Sequence, residues 1–254
     1  MSNETIEFQK EGTIAAIVFK PDSLERQDPF LINSRFGEIC AEISADPKIQ
    51  VAVITGLAEN TFGSGALENY RQTFDGGIHI PSVVEHTAGM QIPVIIGMHG
   101  YIAGLGLELA LACDIRMATP ESQFAFPQVS MGFIPFEGGT QRLPRIVGMA
   151  KALEIILTGE KIDAETAYRI GLVNRIVNSD ELSAAIMTLA QEMSASSAIS
   201  LMYAKEAITE GMELTLEQGL RLEADLYFLM HTTRDRQEGI QAFREKRKPK
   251  FKGT

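Results

Sequence analysis

The sequence is poor in the residues that build metal sites and disulfide frameworks. Two cysteines, Cys40 and Cys113, have no CxxC spacing and no paired histidine, so neither a zinc site nor a disulfide scaffold is indicated. They fit a reducing, cytoplasmic compartment. The four histidines (79, 86, 99 and 231) are scattered, with no H-E-x-x-H spacing; no catalytic metal is expected. None of them has the context of a Ser-His-Asp triad, which sets aside a serine hydrolase. Lysine and arginine number 23 against 33 aspartates and glutamates, a net charge of −10. That balance argues against nucleic acid as the main partner, since phosphate recognition needs a basic surface. The acidic, polar N-terminus "MSNETIEFQKEG" lacks the apolar core of a signal peptide. No apolar run reaches the roughly 18–20 residues of a membrane span. The richest run, 92–113, is interrupted by Pro93, four glycines, His99 and Glu108. The expectation is a soluble protein with no membrane partner.

What is present is an ordinary globular composition, 45% apolar and 22% charged, at a length that suits one α/β domain or two small ones. Short β-rich runs occupy 5–9, 13–19, 50–56, 92–100 and 114–119, with helical patterns at 31–45, 81–91 and 105–112. The alternation predicts an α/β fold with a largely parallel sheet, its continuous apolar strands buried on both faces. Beyond Gly148 the pattern turns helical. "MAKALEIIL" stops at Gly159, and Asp163 is placed to cap "AETAYRI", which stops at Gly171. Asn178-x-x-Glu181 and Thr215-x-x-Gln218 read as helix starts, for segments ending near 194 and 231. A last helix covers 234–246. We divide the chain into a core, 1–190, and a helical C-terminal region, 191–254. The basic tail "REKRKPKFKGT" is either a solvated terminus or a local anion contact.

Three stretches can carry chemistry. In "NTFGSGALENY" (60–70), Gly63 and Gly65 flank Ser64, which gives either a plain strand-to-helix turn or a loop with outward amides. In "HGYIAGLGLELALACDI" (99–115), a strand runs through Gly104-Leu105-Gly106 into a helix bearing Glu108. The unpaired amides of a helix start suit a developing oxyanion. Glu108 is either a first-turn acid serving the helix dipole or a buried, functional carboxylate, because its helix is otherwise leucine, alanine and cysteine. In "FPQVSMGFIPFEGG" (126–139), Glu137 precedes two glycines and a further helix start, and the same two readings apply. Two glycine-rich helix starts and two glutamates form the constellation of a thioester site: amides for the carbonyl oxygen, carboxylates to move protons.

Together these motifs resemble the crotonase (enoyl-CoA hydratase/isomerase) superfamily. The resemblance runs from about residue 6 to 253 and is most specific in "TFGSGA", "IPVIIGMHGYIAGLGLELALACDIRMAT", "GFIPFEGGTQRLPRIVG", "LTGEKIDAETAYRIGLVNRIV" and "DRQEGIQAFREKRKPKFKG". It implies a spiral of ββα units with a C-terminal helical region for trimer assembly, and self-association as a trimer or dimer of trimers. It implies an acyl-CoA substrate, with coenzyme A part of that substrate and no separate cofactor. The oxyanion amides fall on Ala66 and on Leu105, where most relatives have glycine. Ser64 and Gly65 match backbone that lies against the CoA adenine. Gly104 and Phe136 fall among the substrate- and CoA-binding positions, and Phe251 and Lys252 match a tail region that often meets the CoA of a neighbouring subunit.

The chain also departs from the pattern. The first of the family's two catalytic glutamates matches Glu108, but the second position holds Gln128, which can hydrogen-bond yet cannot exchange a proton as a carboxylate does. An acid stands instead at Glu137, beside Phe136. The loop residue after "SGA", usually aspartate, is Leu67. The function implied is addition of water to an enoyl-CoA thioester, or its removal. Glu108 is the general base or acid, Glu137 the second proton carrier, and Gln128 orients water. A shifted acid implies a shifted substrate, with an unusual cyclic or branched acyl group. A double-bond isomerase or an acyl-CoA hydrolase of the same superfamily are the alternatives. A non-catalytic CoA- or RNA-binding protein is the alternative of another class; the retained acids and the net charge oppose it.

Overall fold

The structure, a computed structural model, describes residues 6–20, 29–57 and 81–254. Ser64, Gly65, Ala66 and Leu67 lie outside the described residues. A hairpin of β1 (Ile6–Glu11) and β2 (Ile14–Phe19) opens the main sheet, its antiparallel register pairing Ile6 with Phe19. The remaining strands join in parallel: β3 (Val51–Leu57), β4 (Val94–Met98), β6 (Ile115–Ala118) and β9 (Arg175–Ile176), in the order β1-β2-β3-β4-β6-β9. All five residues of β4 are buried, as expected of a parallel strand covered on both faces.

A second, three-stranded sheet consists of β5 (Tyr101–Ala103), β7 (Gln123–Ala125) and β8 (Ile162–Asp163). It makes the spiral visible. The chain places β4 in the large sheet and β5 in the small one, then forms helix α3 (Leu105–Ala112). It next places β6 in the large sheet and β7 in the small one before entering further helices. Strand, strand and helix recur as a unit.

Helices α1 (Pro29–Ala45), α2 (Val83–Ala88), α3, α4 (Gly139–Val147) and α5 (Met149–Thr158) pack as successive neighbours. Their core holds Phe19, stacked on Phe36 with ring centroids 5.7 Å apart, together with Ile39, Ile54, Ile96, Leu107 and Phe124. Each such burial contributes about 1.5–3 kcal/mol. Helix α6 (Ala164–Arg169) follows. The other face of the sheet is covered by α7 (Leu182–Ser194), whose Ile186, Leu189 and Ala190 pack on Val51, Val53, Ile95 and Met117. The C-terminal region continues as α8 (Ala198–Gly211), α9 (Leu216–Met230) and α10 (Arg234–Arg244), with α8 packed along α9.

The helix signals hold with one correction. Asp163 caps α6 through the Thr166 N–H at 2.7 Å, Gly159 ends α5 with φ 66°, and Thr215 with Gln218 forms a capping box on α9. Asn178 does not cap α7. Its side-chain amide donates to the Glu181 carboxylate at 3.3 Å, and the helix begins at Leu182 without a side-chain cap. The two polar groups satisfy each other, which removes both from the helix end.

Candidate active site

Helix α3 sets the site's floor. Leu105 through Leu111 are all buried, as befits a helix that is hydrophobic all round. Its N-cap is Gly104, at φ 53°, a backbone conformation that glycine adopts without a Cβ penalty. The Gly104 N–H donates to Ala125 O at 3.2 Å, tying the helix start to β7. Leu105, the first helical residue, belongs to the turn whose amides have no intrahelical acceptor. One turn later stands Glu108, 1% exposed.

Burying a carboxylate is costly unless it is hydrogen-bonded. Here Oε1 of Glu108 accepts the backbone N–H of Glu137 at 2.8 Å and of Gly139 at 2.9 Å. The acid at the N-terminus of α4 is therefore Glu108, reaching across from α3, and not Glu137. Burial pushes Glu108 up to about 7, and the hydrogen bonds from Gly139 and Glu137 offset that only in part. The second oxygen, Oε2, is buried without a hydrogen-bond partner among the described residues. One oxygen is an anchor and the other is available for chemistry.

Gly139 permits this approach. A Cβ at that position would lie 2.9 Å from Pro135 Cβ, 3.0 Å from Glu108 Oε1 and 3.0 Å from Phe126 Cε1. Such contacts are too close to accommodate without displacement.

Gln128 sits in the 3-10 turn Pro127–Met131 and is fully buried. Its side-chain nitrogen comes within 3.3 Å of where a Cβ on Gly104 would stand. Neither polar atom of its amide has a hydrogen-bond partner among the described residues. The amide thus keeps two donors and two lone pairs, with its nitrogen beside the start of α3.

Glu137 precedes the α4 N-cap, Gly138. Its carbonyl accepts Arg142 Nη1 at 2.8 Å, and its Oε2 accepts the Ser82 hydroxyl at 2.6 Å. Ser82, at the start of α2, was not singled out by the sequence reading, although Ser82-x-x-Glu85 is a legible capping box. Nothing local in the sequence reveals its partner 55 positions away.

The structure thus brings together Gly104, Leu105, Glu108, Gln128 and Glu137. Phe136, adjoining Glu137, is 41% exposed in a turn that also exposes Phe133 and Ile134. Phe251 and Lys252 lie against α10, where the Phe251 ring packs on Gly239. Buried Asp235 accepts the Lys252 N–H at 2.7 Å and the Gly253 N–H at 3.0 Å. Among the described residues no group of three or more His, Cys, Asp or Glu side chains is placed to hold a metal ion, and no helix is long and apolar enough to cross a membrane.

Known proteins share this arrangement of elements. The family model described as enoyl-CoA hydratase/isomerase matches residues 34–254. A probable enoyl-CoA hydratase of Rhizobium meliloti is 36% identical over 263 residues, covering 99% of each chain. The (E)-benzylidenesuccinyl-CoA hydratase of Thauera aromatica is 34% identical over 245 residues, 92% of this chain and 93% of that one. The crystal structure of an enoyl-CoA hydratase from Bacillus anthracis superposes with a TM-score of 0.91 at 31% identity, covering 99% of this chain and 100% of that one.

Proposed function

The chain belongs to the enoyl-CoA hydratase/isomerase family, and we propose that it adds water to, or removes it from, an enoyl-CoA thioester. The observation that carries this reading is the Glu108 carboxyl group. One oxygen is fixed by two amides, the other has no hydrogen-bond partner among the described residues, and burial holds the group near neutrality. A carboxyl group poised near the working pH serves either as acid or as base.

In hydration, Glu108 takes a proton from water as the water oxygen bonds to the β-carbon. The displaced electron pair moves through the α-carbon onto the thioester oxygen. That enolate oxygen is held by the N–H groups of Ala66 and Leu105, an arrangement in which one donor is worth roughly 10²–10³ in rate. Glu137, protonated at the outset, delivers its proton to the α-carbon and is left as the carboxylate. Exchange with solvent then releases the proton taken up by Glu108 and reprotonates Glu137, and dehydration runs the same transfers backwards. Gln128 orients the water through its amide, which has no hydrogen-bond partner among the described residues. The moved acid and the neutral residue at 128 accompany an unusual acyl group, cyclic or branched.

Self-association through the C-terminal helices, as a trimer or dimer of trimers, belongs to the same proposal. It is supported by Tyr227, Phe228 and Phe243, exposed at 60%, 68% and 86% on α9 and α10, since large apolar side chains clustered at a surface mark interaction sites.

The test is a panel of linear, cyclic, branched, aryl-bearing and carboxyl-bearing enoyl-CoAs with product mass as readout. Gain of water supports the proposal. A product of unchanged mass indicates an isomerase, and released CoA a hydrolase; either outcome contradicts it.

A further inference from the structure

The proton-carrier reading of Glu137 leaves open what holds its side chain in place, and the present inference rests on that reading. The backbone of Glu137 is fixed from two sides, its N–H by Glu108 Oε1 and its carbonyl by Arg142. The carboxylate is held by a third element. We infer that Ser82 is a positioning residue for Glu137, its hydroxyl fixing the orientation of the carboxylate beside Glu108.

The hydroxyl's bonding supports this. Ser82 is 2% exposed. Its oxygen accepts the Glu85 N–H at 3.1 Å, and its own N–H donates to Glu85 Oε2 at 3.0 Å. The helix cap is complete with those two bonds and needs no hydroxyl proton. The one proton that Ser82 can donate goes to Glu137 Oε2 at 2.6 Å, a short O–H···O bond that strengthens as Glu137 gives up its own proton and becomes a carboxylate. The start of α2 is itself anchored, since the Val83 N–H donates to Asn33 Oδ1 at 3.2 Å. The donor is thus buried, rigid and committed. A serine chosen only to cap α2 would be interchangeable with glycine at a cost of a few tenths of a kcal/mol; a serine that orients a proton carrier is not.

The test compares Ser82→Ala, Ser82→Gly and Ser82→Thr, each alone and the first also with Glu137→Gln, on the panel substrate hydrated fastest. Thermal midpoints are measured alongside, because the alanine variant weakens the cap while the glycine variant nearly preserves it. Both should lose about 10- to 100-fold in kcat, the scale of a hydrogen bond to a charged group, with KM within about 2-fold of the parent. Threonine, which keeps both cap and proton, should restore most of the rate. Within Glu137→Gln, the further change Ser82→Ala should lower kcat by less than about 2-fold, because both changes act through one carboxylate. If the glycine and alanine variants keep their kcat while Glu137→Gln loses its own, the inference about Ser82 is overturned and Glu137 retains its role. If Glu137→Gln is fully active, the underlying reading fails, whatever Ser82 does.

Discussion

The Glu108 carboxylate and the Gly139 backbone N–H meet at 2.9 Å, although 31 positions separate them in sequence. That bond and its companion from Glu137 leave Glu108 one oxygen for chemistry. Glu108→Gln keeps an oxygen to accept both amides but loses the exchangeable proton. It should fold normally and lose about 10²–10⁴-fold in kcat. Steady-state kinetics with a circular-dichroism control checks both parts.

Gly139→Ala tests the same contact from the other side. The added methyl meets Pro135, Phe126 and the Glu108 oxygen at about the distances that force displacement. Overpacking of this kind typically costs about 1–3 kcal/mol. Because one of the atoms crowded is the anchor oxygen of the proposed proton carrier Glu108, kcat should fall at least about 10-fold. Denaturant midpoints and kcat, measured on one preparation, report the two effects.

The carboxyl group of Glu108 also makes a prediction about pH. Burial holds its folded-state value near 7, above the 4.5 of an unfolded chain. Between those values the folded protein keeps a proton that the unfolded chain has released. The stability from this group is therefore fully present below pH 4.5 or so and is lost as pH rises through about 7, by on the order of 3 kcal/mol. Denaturation across that window should show the decline in the parent and a flatter profile in Glu108→Gln. In catalysis, kcat/KM for hydration should fall below a pH of about 7, where the base is protonated, and for dehydration above it.

Lys205 supplies a contrasting prediction. Its ammonium group joins α8 to the sheet, donating to Asp114 Oδ2 at 2.7 Å and Ile92 O at 3.0 Å, and the same Asp114 oxygen accepts the Val94 N–H at 2.7 Å. Lys205→Met leaves Asp114 partly buried without its cation and should destabilise by about 1–3 kcal/mol. With no part in the site, it should leave kcat within about 2-fold when assayed well below the melting temperature.

Much of this was legible in the sequence where the cause is local. Gly159, Asp163 and the Thr215–Gln218 pair act within a turn of themselves, and each does what its chemistry predicts. Burial of Glu108 followed from the apolar residues around it on one helix. The small sheet was not legible, because β8 is only two residues long and β5 and β7 only three, too short for any periodicity. The failure at Asn178 shows that a capping pair can also satisfy itself. Ser82 was missed for the opposite reason: its capping signature is visible, but the hydroxyl proton goes to a residue that only the fold brings near.

In the proposed mechanism, proton transfer depends on the acid at 137 as well as on Glu108. The most direct measurement is kcat of Glu137→Gln on the panel substrate hydrated fastest, with water gain followed by mass. A fall of at least about 10²-fold is expected, the general acid–base scale, in a protein of unchanged thermal midpoint. Full activity in that variant would contradict it.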